Sequence, residues 1–150
     1  MTAPTPAPAA TPAPAPAAAR FDLPTIEGES RPFWDGLKAG VLNIGHCNAC
    51  GKAHYYPRPF CPHCWSEDVT LKPASGKGVL YTWSVIHMND QAPFKDWLPY
   101  VAAMVDLEEG VRVSTNIVGC DLAALAVGMP VSAEFTEVTP EISKAVFRPA

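Results

Sequence analysis

No stretch of this chain approaches the ~18 consecutive apolar residues that a membrane-crossing helix requires. The N-terminus, Met1-Thr2-Ala3-Pro4, lacks the basic start and the Leu/Val-rich core of a secretory leader. Neither sign of charge dominates strongly: 11 Lys/Arg stand against 15 Asp/Glu, a net charge of −4 over 150 residues. Residues 1–73 hold six charges of each sign, whereas residues 74–150 hold five basic against nine acidic ones, so the negative balance sits in the second half. A general nucleic-acid binder carries the opposite sign on its binding domain. Recognisable catalytic sets are missing too. No Ser-His-Asp order, phosphate-binding glycine loop or carboxylate pair stands out, and such a chain reads as a binding subunit before it reads as an enzyme on its own.

Cysteine is scarce but clustered. Four of the five cysteines form two Cys-x-x-Cys pairs, Cys47/Cys50 and Cys61/Cys64, separated by residues 51–60. A pair at this spacing turns the chain tightly enough to aim two thiolates at one ion, and two such turns close a tetrahedron of sulfurs. Gly51 follows the first pair, where a turn leaving a metal often needs positive φ. Zinc has no geometric preference opposing a tetrahedron and binds thiolate well. Iron is the rival, because Cys-x-x-Cys-Gly and Cys-Pro-x-Cys also resemble rubredoxin knuckles. Rubredoxin has a longer stretch between its pairs, however, and a glycine after the second, where Trp65 stands here. Four thiolates leave zinc no open position, so the metal is expected to be structural, supplying much of the folding free energy of a ribbon too small for its own core. Cysteines used as metal ligands suit a reducing compartment, and a cytoplasmic protein is expected.

In chain order, residues 1–19 are Ala, Pro and Thr apart from Met1, a composition that predicts a disordered, semi-extended tail. Residues 20–40 read as a short helical lead-in with Ser30 as cap, Pro32 in the first turn and Gly40 at the exit. Phe33, Trp34 and Leu37 share one side of it and must pack on the following domain or on a partner. Residues 41–73 form the metal clasp, with residues 51–60 expected to run out and back as one hairpin arm. From residue 74 to 150 the pattern turns to strands: 78–86, 100–107, 111–118, 131–138 and a short last one at 145–148, with a helical turn near 121–126. Five strands so arranged fit a small closed barrel of OB type. The whole reads as a mainly β protein. The loop 88–99 contains Phe94, Trp97 and Leu98 and is unusually apolar. His46 and His63, beside filled ligand positions, and the isolated His54 and His87 read as packed or solvent-facing. Cys120 lacks a recognisable base and reads as a small buried thiol, and Glu108 and Glu109 as solvated turn residues.

The series Cys-x-x-Cys-Gly, Pro57-Arg58, Cys61-Pro62-x-Cys64, Gly76-x-Gly78 before Tyr81-Thr82-Trp83-Ser84, Pro99-Tyr100-Val101, Val118-Gly119-Cys120-Asp121, Val127-Gly128-Met129-Pro130-Val131 and Phe147-Arg148-Pro149 resembles the DUF35 family over residues 33–149. The resemblance implies an N-terminal helix, a rubredoxin-like zinc ribbon and a C-terminal OB-fold. It also implies a non-catalytic accessory subunit of a thiolase-like acyl-CoA enzyme that makes or breaks a C–C bond in lipid or aromatic metabolism, in some cases with a hydratase-like or aldolase-type partner. Zinc is then the structural metal, and a coenzyme A ester is the ligand shared with that partner. Coenzyme A carries phosphates and an adenine, so its site needs cations and an apolar or aromatic face. Arg58 and Lys52, between the cysteine pairs, are the first candidates, and Lys95 with Trp97 form a second group. Two other readings differ in class. A single-stranded nucleic-acid binder would stack bases on Tyr81, Trp83 and Trp97, against the charge of the barrel half. An electron carrier would hold iron in the clasp.

Overall fold

The computed structural model describes residues 20–150; the Ala/Pro tail, residues 1–19, lies outside the described residues. The lead-in forms one helix, α1 (Arg31–Lys38), with proline in its first turn and Phe33 and Leu37 buried. Ser30 does not cap it: the residue is already helical in φ and ψ, and its side chain accepts the Glu27 N–H instead. The exit is the expected one, with Gly40 at φ +76° and Val41 N–H donating to the Gly36 carbonyl at 2.8 Å.

The ribbon is a three-stranded antiparallel sheet of β1 (Asn43–Cys47), β2 (Ala53–His54) and β3 (Val69–Pro73), in the order β2-β1-β3. Residues 51–60 therefore do not run out and back as a hairpin arm. Only Ala53 and His54 pair, with His46 and Gly45, and the long partner of β1 is β3, beyond the second cysteine pair. The physical reason lies at Tyr55 and Tyr56, which turn away from the sheet to pack edge-on against Phe33 of α1 at 6.0 and 4.7 Å. The helix aromatics are thus satisfied within the chain.

The second half is a closed barrel of β4 (Lys77–Ile86), β5 (Tyr100–Leu107), β6 (Arg112–Ile117), β7 (Pro130–Thr139) and β8 (Ile142–Pro149), in the order β4-β5-β6-β8-β7 with β7 returning to β4. Strand β8 starts earlier than the sequence pattern predicts. The Thr139 hydroxyl accepts from the N–H groups of both Glu141 and Ile142, which closes the turn at once and lets pairing begin at Thr139 opposite Ile142. Four strand pairings are antiparallel, but β6 meets β8 in parallel through the single pair Ile117 and Phe147. Leu80, Val105, Val131 and Phe147 fill the barrel, and Phe33, Leu37, Leu42 and Ile44 extend the same core through helix and ribbon. Glu109, expected to be solvated, instead accepts the Ser75 N–H at 2.5 Å and ties the ribbon-to-barrel connection to the β5–β6 turn.

Candidate metal centre and ligand cleft

The two cysteine turns converge. The four Sγ atoms lie within 4.8 Å of one another, with Cys47–Cys64 at 3.6 Å and Cys50–Cys61 at 3.7 Å. A tetrahedral site with metal–sulfur bonds of about 2.3 Å has edges of about 3.8 Å, close to these two separations, so the cluster has the size and donor set of a zinc site. Cys47 and Cys61 are fully buried, while Cys50 and Cys64 reach solvent. Backbone N–H groups of Cys50 and His63 point at the Sγ atoms of Cys47 and Cys61, both at 3.4 Å. The Cys50 N–H favours the thiolate and lowers the pKa of Cys47, while within the same sulfur cluster that of Cys64 is raised. Each turn is locked the same way: Gly51 N–H donates to the Cys47 carbonyl and Trp65 N–H to the Cys61 carbonyl, both at 2.9 Å. Asn48 ties the two loops together by donating from its side chain to Asp68 at 2.8 Å.

The nearby histidines stay outside the sulfur cluster. His63 lies on the surface with Nε2 3.3 Å from the Ala53 carbonyl oxygen. His54 is 4% exposed, and neither of its ring nitrogens has a partner among the described residues. Its ring lies against Gly45, where any Cβ would collide with it. Burial, with the nearby His63 adding to it, holds His54 below the usual imidazole range.

A cleft of about 600 Å³ opens beside the β6–β8 seam. With only one residue pair joining those strands, the loop after Ile117 and the start of β8 leave a gap. Val101, Ile117 and Val146 give it apolar walls, and Trp97 from the 3-10 turn Phe94–Trp97 stands at its side. Lys144 reaches over the Trp97 ring with Nζ 4.3 Å from its centre. Burial lowers the pKa of Lys144, and Asp22 partly opposes this. Arg20, held by Asp22 (Nε–Oδ1 2.9 Å), completes the cationic side. Cys120 is only partly buried and also lines this cleft, contrary to the expectation of a buried thiol.

Of the residues singled out in sequence, the structure brings Trp97 to the cleft. Lys95, on the same turn, is exposed and not among its lining residues. Arg58 and Lys52 are exposed on the ribbon and line no part of the cleft. Lys144 and Arg20 were not foreseen, because nothing local marks a lysine in mid-strand or an arginine at the start of a lead-in as facing a gap made by distant strands. The base-stacking platform dissolves: Trp83 packs on the core, and Arg112 covers one face of Tyr81 at 3.3 Å while pairing with Asp106. Among the described residues, no helix is long and apolar enough to cross a membrane.

Residues 34–70 match the rubredoxin-like zinc ribbon domain of ChsH2, and residues 71–136 match its C-terminal OB-fold domain. A DUF35 domain-containing scaffold protein of Methanocaldococcus jannaschii is 36% identical over 110 residues, covering 70% of this chain and 75% of that protein. The chain belongs to the DUF35 family. A probable enoyl-CoA hydratase alpha subunit of Thermomonospora curvata is 38% identical over 127 residues, 85% of this DUF35 chain but only 39% of that longer protein. The benzoylsuccinyl-CoA thiolase subunit BbsA of Geobacter metallireducens is 34% identical over 73 residues, 49% of this chain and 47% of its own. Among solved structures, the Ltp2-ChsH2(DUF35) aldolase superposes with a TM-score of 0.76 at 37% identity, covering 85% of this chain and 98% of that one.

Proposed function

We propose that this DUF35 protein is a non-catalytic accessory subunit of a thiolase-like acyl-CoA enzyme in the cytoplasm, and that its barrel cleft supplies part of the acyl-CoA site. The observation that carries the reading is the cleft: apolar walls, one tryptophan, two cations and the carboxylate of Glu137 in a volume usual for a ligand site. Val101, Ile117 and Val146 suit an acyl or pantetheine arm. Lys144 and Arg20 suit a phosphate or a thioester oxygen. The four thiols would hold zinc as a closed structural centre, which fixes the ribbon and does no chemistry at the ligand. The nucleophile and the acid–base groups would come from the partner. Arg58, Lys52 and Lys95 would touch the ligand only if the partner brings it over them. Similarity to a hydratase subunit, a thiolase subunit and an aldolase complex supports an acyl-CoA partner enzyme while leaving cleavage and condensation both open.

The test is the apparent KM of the reconstituted complex for its acyl-CoA. Lys144→Ala and Trp97→Ala should each raise it about tenfold with kcat nearly kept, as loss of ground-state binding does. Arg58→Ala measured in parallel separates the ribbon from the barrel. Wild-type KM in both cleft variants, or full activity of the partner without this chain, would overturn the proposal.

A further inference from the structure

The two cysteine turns solve one geometric problem with different residues. In each, the residue after the second cysteine donates its N–H to the carbonyl of the first cysteine, and in each its φ is left-handed. At the first turn that residue is Gly51, φ +73°, which adopts this conformation freely. At the second it is Trp65, φ +64°, the sole non-glycine residue with positive φ among the described residues. A side chain bearing Cβ is strained there. Burial does not offset the strain, because Trp65 is 74% exposed. Its one aromatic neighbour is Phe60, whose ring stacks on the indole at 5.4 Å and 13°. The ribbon therefore holds its largest side chain outward, in a conformation glycine would serve better, braced by a second ring.

The knob projects into solvent, with the indole 74% exposed and its ring stacked only on Phe60 among the described residues. Small ligands are held in concavities, so here the concavity belongs to whatever the indole enters. Trp is also the side chain most enriched among residues that dominate protein–protein binding energy. The two solvent-reaching metal ligands, Cys50 and Cys64, adjoin the knob, with Cys64 its immediate neighbour in the chain. Exposed charges of both signs flank the knob in sequence, Lys52 and Arg58 before the Phe60 brace and Glu67 and Asp68 after Trp65, and match a partner rim of mixed charge. We infer that Trp65, braced by Phe60, is a docking anchor inserted into an apolar pocket of the partner enzyme subunit with a rim of mixed charge. This rests on the accessory-subunit reading for the existence of that partner. Docking covers the open side of the metal centre, so the complex also retains its metal better than the free chain does.

The test uses the full chain, zinc-loaded, with the partner identified by co-purification and then expressed and purified alone. Trp65→Gly should keep one zinc and a melting midpoint at or above that of the wild type, while weakening partner binding at least 30-fold. Phe60→Ala should weaken it less. The chelator-induced rate of zinc loss from the wild type should fall at least fivefold on adding the partner, and fall little for Trp65→Gly. Binding by Trp65→Gly within threefold of the wild type would overturn the inference while leaving the accessory role intact. No binding by the wild type to any acyl-CoA enzyme would instead remove the accessory role itself. A wild-type chain that self-associates through Trp65, with Trp65→Gly monomeric, would give the knob a different occupant and equally overturn the inference.

Discussion

Ribbon and barrel share one core yet are held by opposite means. The barrel closes on itself with long antiparallel ladders and buries Leu80, Val105, Val131, Val146 and Phe147 completely. The ribbon has three short strands, one of only two residues, and its own fully buried groups include the thiols of Cys47 and Cys61. Where apolar residues are plentiful, removal of surface from water holds the fold. Where they are few, coordination replaces burial. The same contrast runs through function. The metal that organises the ribbon has a filled shell, and the cleft with ligand-like chemistry lies in the half that needs no metal.

Removing zinc breaks this contrast most sharply. A chelated sample should lose amide protection over residues 41–73 while β4–β8 keep theirs, structural zinc being worth about 10 kcal/mol or more in zinc-finger peptides. Native protection in the metal-free ribbon would show that packing against α1 suffices. The reciprocal lesion is Phe147→Ala, a fully buried ring opposite Ile117 at the one point where β6 meets β8. It should destabilise the barrel by about 3–5 kcal/mol, read by denaturant unfolding, with the cobalt-substituted thiolate spectrum kept at temperatures below the melt. Phe33→Ala tests the join. Phe33 touches Trp34, Tyr55 and Tyr56 and belongs to the continuous core. Its loss should cost about 3 kcal/mol and split one unfolding transition into two.

Legibility in the sequence followed the same division. The metal centre could be read residue by residue, because Cys-x-x-Cys geometry is local and the ion supplies the long-range term. Strand β5 was marked at both ends by proline-tyrosine and by the Glu108-Glu109-Gly110 turn, and it falls at Tyr100–Leu107. The course of residues 51–60 was not legible. Tyr55 and Tyr56 favour extended structure by themselves, but Phe33, distant in sequence, offers them a better surface. The cleft was half legible. Trp97 stood out in an apolar loop, whereas Lys144 and Arg20 gain their meaning only from barrel closure and from the lead-in crossing beside the seam.

The smallest effect concerns His54 and sharpens the comparison by pH. Its imidazole is packed on Gly45 with both nitrogens unpartnered among the described residues, and burial depresses its pKa below the ordinary value of 6.5. An unfolded chain thus binds the proton more readily than the folded one. The contribution of neutral His54 is fully present above about pH 6.5, the unfolded value, and is lost as the pH falls below that toward the depressed folded value. Thiolate protonation also weakens the ribbon in acid, so the informative quantity is a difference. Between pH 7.5 and 5.5 the wild-type ribbon should lose more stability than His54→Gln at equal zinc loading, measured by hydrogen exchange at β1 and β3. Barrel amides in the same samples supply the internal reference and should move alike in both proteins. Equal acid sensitivity of the two ribbons would assign the whole pH response to the thiolates and leave His54 as a spacer that only requires glycine at position 45.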